Sequence, residues 1–217
     1  MSEARITDPR AVVTAGDRVR AYVELTKPRI IELLLITTVP AMIVAAEGWP
    51  GLGLIMATLV GGTLSAAGAN TLNQVLDRDI DRVMRRTASR PLPTDRVTPG
   101  HAVVFGMALG IAGFAWLWAT TNLLAAVLST AGLAFYVLVY TMWLKRTTTQ
   151  NIVIGGAAGA VPPLVGWAAV TGSLALPAWF MFAIVFYWTP PHFWALSLRY
   201  RDDYAAAGVP MMPVVVG

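Results

Sequence analysis

The chain has 217 residues, of which 56% are hydrophobic and 13% charged, with a formal net charge of +4 and no cysteine. A soluble core of this size has no use for so much apolar surface, and the absence of cysteine excludes disulfides and thiolate metal sites. The basic balance does not call for nucleic acid, because its Lys and Arg residues fall in clusters that anionic lipid or an anionic substrate would explain.

Residues 1–29 read as a polar N-terminal arm carrying Arg5, Arg10, Arg18, Arg20, Lys27 and Arg29. The arm is long for the n-region of a signal peptide. Cleavage near Ala45-Ala46-Glu47 would also remove Lys27-Pro28-Arg29, so the first apolar run is read as retained. Six apolar runs follow, at roughly 30–47, 51–72, 100–120, 123–144, 151–171 and 177–198, each near the ~20 residues that cross ~30 Å of hydrocarbon. In hydrocarbon the backbone must satisfy its own hydrogen bonds, so these are helices, and the short alternating segments of a membrane β-barrel are missing. The expected fold class is all-α: a polytopic transmembrane helix bundle occupying residues 30–217.

Charge sets an expected orientation. Arg78, Arg82, Arg85, Arg86, Arg90 and Arg96 lie between the second and third runs, Lys145 and Arg146 after the fourth, and Arg199 and Arg201 after the sixth. The opposite loops, Glu47–Pro50, Thr120–Asn122 and Gly172–Leu176, hold no Lys or Arg. The positive-inside rule then puts the N-terminus and the basic loops in the cytoplasm. Gly106-x-x-x-Gly110 and Gly155-x-x-x-Gly159 are small-xxx-small patterns that predict close helix packing. Pro40, Pro162-Pro163 and Pro190-Pro191 interrupt runs, so the carbonyls they free must find partners or line a cavity.

The stretch NQVLDRDIDRVMRRT, residues 73–87, is where chemistry concentrates. Asn73, Asp77 and Asp81, four residues apart, fall on one face of a helix that continues the second span. They cover a rise of ~12 Å, too long for one ion to take all three as direct ligands. Two adjacent carboxylates, Asp77 and Asp81, could hold one Mg²⁺ that keeps waters or takes phosphate oxygens, with Asn73 orienting a ligand. Asp79 faces elsewhere and is expected to pair with an arginine. The competing reading is a juxtamembrane helix end with solvated ions. Further along, Tyr140 precedes Lys145 and Arg146, and Asp202 and Asp203 follow the sixth run. Acids at two helix ends and cations at every basic end suit a metal-bound diphosphate. Tyr140, Trp143, Phe193 and Trp194 near these ends read as interfacial-belt or packing residues. His101 reads as interfacial. His192, after Pro190-Pro191 and between Trp188 and Trp194, reads either as a packed histidine or as a ligand contact.

The stretches LTKPRIIELLLITTVPAM, NQVLDRDIDRVMRRTASRPLP, YTMWLKRTTTQNIVIGGAAGAVPPLVGWAAVTG and TPPHFWALSLRYRDDYAAAGVPMMPVV together resemble the UbiA-type intramembrane prenyltransferases. GAVPPLVGW, PPHFWALSL and AGVPMMPVV are similar to the branch that farnesylates heme. The resemblance implies transfer of a farnesyl group from farnesyl diphosphate to a vinyl group of heme B, with Mg²⁺ on Asp77 and Asp81. It implies catalytic roles for Asn73, Asp77, Asp81 and Lys145, and substrate contacts for Arg82, Tyr140, Arg146, His192, Asp202 and Asp203. His192 would meet heme as axial ligand or propionate partner. The implied setting is a bacterial inner membrane, with heme A synthase or a terminal oxidase assembly downstream.

Two departures accompany the resemblance. The family's second aspartate motif is replaced by a region that starts at His192 and keeps acid only at Asp202 and Asp203. Members also have about nine helices of spanning length, so a chain with six reads as C-terminally incomplete. Two alternatives stay open: a related enzyme with a phenolic or quinone-precursor acceptor, and a non-enzymatic membrane carrier.

Overall fold

The computed structural model describes residues 14–216. Residues 1–13 of the arm, with Arg5 and Arg10, lie outside them, as does Gly217. The described residues form helices and no strand.

The arm contains a helix, α1, Ala15–Thr26. Thr14 caps it: its hydroxyl accepts from the Asp17 amide while the Asp17 carboxylate accepts from the Thr14 amide, a reciprocal arrangement that satisfies donors a helix start leaves open. Ala21 and Leu25, one turn apart, are its buried stripe. Lys27 then adopts a left-handed conformation, φ 54°, and turns the chain into α2, Pro28–Ala45, whose first residue is a proline with no amide to satisfy.

The remaining elements are α3, Leu52–Leu76; α4, Arg78–Val83; α5, Pro99–Thr120; α6, Leu123–Thr147; α7, Asn151–Thr171; α8, Leu176–Arg199; α9, Arg201–Ala206; and α10, Met212–Val215. Five of these, α2, α3, α5, α6 and α7, are long and apolar enough to cross a membrane. The sixth expected span is present as the 24-residue α8, but Tyr187, Trp188, Pro190, Pro191 and His192 make its second half too polar to join the five. Residues Phe135–Leu144 of α6 form wide, π-type turns.

α3 packs along α5 through glycine. A methyl group on Gly68 would meet the Gly106 carbonyl oxygen at 2.7 Å and the Gly110 nitrogen at 2.9 Å, and one on Gly113 would meet the Ser65 nitrogen at 2.8 Å. The two backbones therefore touch, the close approach that small residues permit between helices in lipid. The second glycine pair behaves differently. Gly155 receives the ring of Tyr140, whereas a methyl at Gly159 would meet nothing within 4 Å, because Gly159 faces a cavity.

That cavity, about 220 Å³, lies between α2, α3, α6 and α7 and is lined among others by Leu34, Thr58, Gly62, Asn70, Tyr136 and Pro162. At the basic end, two apolar clusters order the connecting segments. Leu92 and Val97 of the α4–α5 loop pack on Ala21 and Leu25 of α1. Ile80 and Met84 pack with Ile152, Tyr204, Val209 and Met211.

Candidate active site

The site begins where α3 ends. The helix breaks at Asp77 (φ −91°, ψ 7°), yet the Asp77 amide still donates to Asn73 at 2.9 Å and the Asp81 amide to Asp77 at 2.8 Å. Four-residue hydrogen bonding thus runs through the break and keeps Asn73, Asp77 and Asp81 aligned. Their exposures are 3%, 1% and 2%, so these are buried groups and not solvated ions of a helix end. Buried carboxylates are costly unless paired, and each has its cation. Lys145 donates to Asp77 Oδ2. Arg90 donates through Nη1 to both oxygens of Asp81, at 2.9 and 2.7 Å, a charge-assisted contact that pairs the buried carboxylate.

Asn73 joins three elements. Its side-chain amide donates to Asp77 Oδ2 at 2.8 Å and to Thr141 Oγ1 at 3.0 Å, and its Oδ1 accepts from Lys27 Nζ at 2.7 Å. Lys27 comes from the α1–α2 junction, beyond the membrane-crossing segments. Burial pushes its ammonium down to about 7, Arg90 and Lys145 push the same way, and Asp77 and Asp81 oppose them. Three basic side chains, Lys27, Lys145 and Arg90, therefore converge on two carboxylates, an arrangement with spare capacity for an anion.

Asp77 Oδ1 is buried and receives no hydrogen bond; Arg146 comes no nearer than 3.9 Å. Among the described residues, no three His, Cys, Asp or Glu side chains are grouped to hold a metal. Mg²⁺ does not need them, since it binds through one or two carboxylates together with waters and substrate phosphates. The open oxygen of Asp77, with Asp81 one turn on, fits that donor set.

The other residues expected at the site divide. Tyr140 stacks on Tyr136 at 5.4 Å and 20°, and Tyr136 lines the cavity. Arg146 sits at the rim, donating twice to Asp79 at 2.7 Å and once to the Leu76 carbonyl. Those hydrogen bonds hold the Asp79 carboxyl down at about 2. Asp203 accepts from the Arg86 amide at 3.4 Å and lies 3.5 Å from Arg85, which ties α9 to the loop after α4. Arg82 turns toward Asp95, 3.6 Å away. Asp202 is exposed. His192 is exposed too, stacked on Trp188 at 4.2 Å and 15°. The structure thus brings together Asn73, Asp77, Asp81 and Lys145, with Tyr140 and Arg146 beside them; Asp203 meets Arg85 and Arg86 instead, and Arg82, Asp202 and His192 stand apart.

Lys27, Arg90 and Thr141 were not singled out from sequence. The two cations entered only the arguments on orientation and on retention of the first span. For Lys27, 46 residues separate it from Asn73, and no local pattern spans that distance.

The comparisons with known proteins bear on this geometry. Residues 34–217 match the UbiA prenyltransferase family. The chain is 61% identical over 200 residues to protoheme IX farnesyltransferase 2 of Saccharopolyspora erythraea, covering 92% of this chain and 62% of that protein. It is 60% identical over 195 residues to the protoheme IX farnesyltransferase of Mycolicibacterium smegmatis, covering 90% and 63%. The chain therefore spans about three fifths of the length of these relatives. Among solved structures, a UbiA homolog from Archaeoglobus fulgidus bound to GPP and Mg²⁺ superposes with a TM-score of 0.71 at 18% identity, covering 91% of this chain and 69% of that one. Such a likeness speaks for the fold alone. Membership rests on the family match, which takes in the whole Asn73–Asp81 segment and Lys145: the chain is an integral membrane protein that belongs to the UbiA prenyltransferase family.

Proposed function

We propose that this chain carries the donor site of an enzyme that transfers a farnesyl group from farnesyl diphosphate to a vinyl group of heme B, giving heme O. The observation that carries the proposal is the buried, cation-rich Asn73–Asp77–Asp81 face directly beside an apolar cavity. Asn70, three residues before Asn73 on α3, lines that cavity. An anion at the polar end and a prenyl chain in the cavity describe one amphiphile, a prenyl diphosphate. The identity near 60% to proteins named protoheme IX farnesyltransferase supports heme as acceptor.

Departure of diphosphate is the difficult step, because negative charge builds on the oxygen it shares with the farnesyl C1. Lys145, Lys27 and Arg90 would donate to the phosphate oxygens and stabilise that charge as the C–O bond breaks. Asp77 and Asp81 would hold Mg²⁺, whose charge would further stabilise the leaving diphosphate. Asn73 holds Asp77 and Lys27 in register. The stacked Tyr136 and Tyr140 offer ring faces to the allylic cation. The vinyl π electrons of heme B then form the new C–C bond, water adds to the resulting cation, and a proton is lost. His192 would serve as a heme contact on α8, Arg146 and Asp203 would order the rim, and Arg82 and Asp202 would act on substrate only in a loaded state.

In this reading the basic end faces the cytoplasm of a bacterial inner membrane, and heme A synthase or a terminal oxidase assembly takes the product. The test is full-length protein in lipid with heme B, farnesyl diphosphate and Mg²⁺, products read by mass. Heme O is expected. Prenylation only of an added phenolic acceptor would move the acceptor assignment, and no Mg²⁺-dependent release of diphosphate would favour a carrier.

A further inference from the structure

We infer that Thr141 is a positioning residue for prenyl transfer: its hydroxyl, aimed by the wide turns of α6, fixes the orientation of the Asn73 amide. The inference rests on the prenyl-diphosphate reading of the site. Thr141 is fully buried, at 0% exposure. Threonine in a membrane helix ordinarily donates to the carbonyl four residues back, as Thr58, Thr63, Thr71 and Thr130 do here. Thr141 instead donates five residues back, to the Tyr136 carbonyl at 2.8 Å, which the π-type turn between Phe135 and Leu144 presents to it. π-Type turns recur where a helix serves a site.

A hydroxyl has one hydrogen. With that hydrogen on Tyr136, Thr141 can only accept from its other neighbour, Asn73 Nδ2 at 3.0 Å. The Asn73 amide is thereby held nitrogen-inward. Its second N–H reaches Asp77, and its oxygen is left for Lys27. The other two partners do not hold it as firmly. Lys27 is a cation that would turn toward a bound anion. Asp77 is the carboxylate that would exchange partners on loading. Thr141, bonded only within the protein, keeps the amide oriented in both states. The same face of α6 carries Lys145 four residues on, so Thr141 and Lys145 meet Asn73 and Asp77 as two rungs between α6 and α3.

The experiment measures affinity for a non-hydrolysable farnesyl diphosphate analogue with Mg²⁺, alongside turnover, in lipid-reconstituted full-length protein. Thr141→Val should weaken analogue binding about tenfold, the order of one lost polar contact in a dry site. Thr141→Ser, which keeps the hydroxyl and loses the methyl, should stay within twofold. In an Asn73→Ala background Thr141→Val should change nothing further, since its effect passes through Asn73. Equal losses in the Val and Ser variants, or full additivity with Asn73→Ala, would make Thr141 a packing residue and overturn the inference. If Thr141→Val fails to insert, Thr141→Ala against Thr141→Ser decides the same point. Analogue binding by the unaltered protein tests the underlying reading separately: its absence would sink the donor site itself, whatever Thr141 does.

Discussion

Two ends of the bundle look alike in sequence and differ in structure. After α3, and again after α8, an apolar helix gives way to a short run of aspartates and arginines. At the first, Asp77 and Asp81 are nearly inaccessible and each is tied to a basic side chain. At the second, Asp202 is exposed, and Asp203, 13% exposed, meets among the described residues Arg85, itself 87% exposed, and a backbone amide. What differs is the neighbours. The α3 end is enclosed by Lys27 from the α1–α2 junction, Arg90 from the ordered α4–α5 loop, and α6 with Thr141 and Lys145. A charge run becomes a site when packing removes its water, because only then do pairing and orientation carry large energies.

Substitution can break this contrast. Asp77→Ala should lower turnover by ~10²-fold or more, the scale of losing one preorganised electrostatic group. It removes the open oxygen and leaves Lys145 unpaired, so Asp77→Asn is the control that keeps volume and a hydrogen-bond acceptor. Near-normal turnover in both variants would remove Asp77 from the mechanism.

Lys27 supplies an effect of intermediate size with a definite sign. Free Lys27 titrates at about 7, depressed chiefly by burial. A bound polyanion favours the ammonium and raises that value. The complex then holds more protons than the free protein above pH 7, so binding takes up a proton and affinity falls as pH rises through 7 and beyond. Below 7 the dependence should flatten. Calorimetry of analogue binding at pH 8 in buffers of different ionisation enthalpy should show this uptake, and Lys27→Met should abolish it while weakening binding about tenfold, as expected for one charged hydrogen bond.

Smaller effects sharpen the comparison from its exposed side. Asp79→Ala should reduce turnover only a few-fold, since Asp79 pairs at the rim with Arg146 and such pairs contribute little. Asp202→Ala should be within twofold in turnover and unchanged in thermal midpoint. A loss at Asp202 comparable to that at Asp77 would mean that the second end closes into a buried site of its own when substrate is present.

Much of this was legible in residue order. The spans, the one-face alignment of Asn73, Asp77 and Asp81, and the separate direction of Asp79 all follow from periods and composition. The Thr14-x-x-Asp17 cap, which marks α1, is also a local signal, though the segment around it reads only as a polar arm. Arg90 and Thr141 were not legible. Arg90 lies beyond the end of α4, in the loop and nine positions after Asp81, and the value of Thr141 depends on a turn widened by one residue, which no hydrophobic period reports. α8 shows the opposite limit: its length was plain, but its polar second half keeps it out of the group of apolar spans.

Gly159 carries a consequence of another kind. Its neighbour one turn away, Gly155, is committed to the ring of Tyr140, whereas the space over Gly159 belongs to the cavity. A methyl group added there would enter the cavity and meet nothing within 4 Å, and it would replace the residue type least favourable to a helix interior save proline. On the prenyl-diphosphate reading, Gly159→Ala would narrow the space for the hydrocarbon chain at no steric cost to the helices around it.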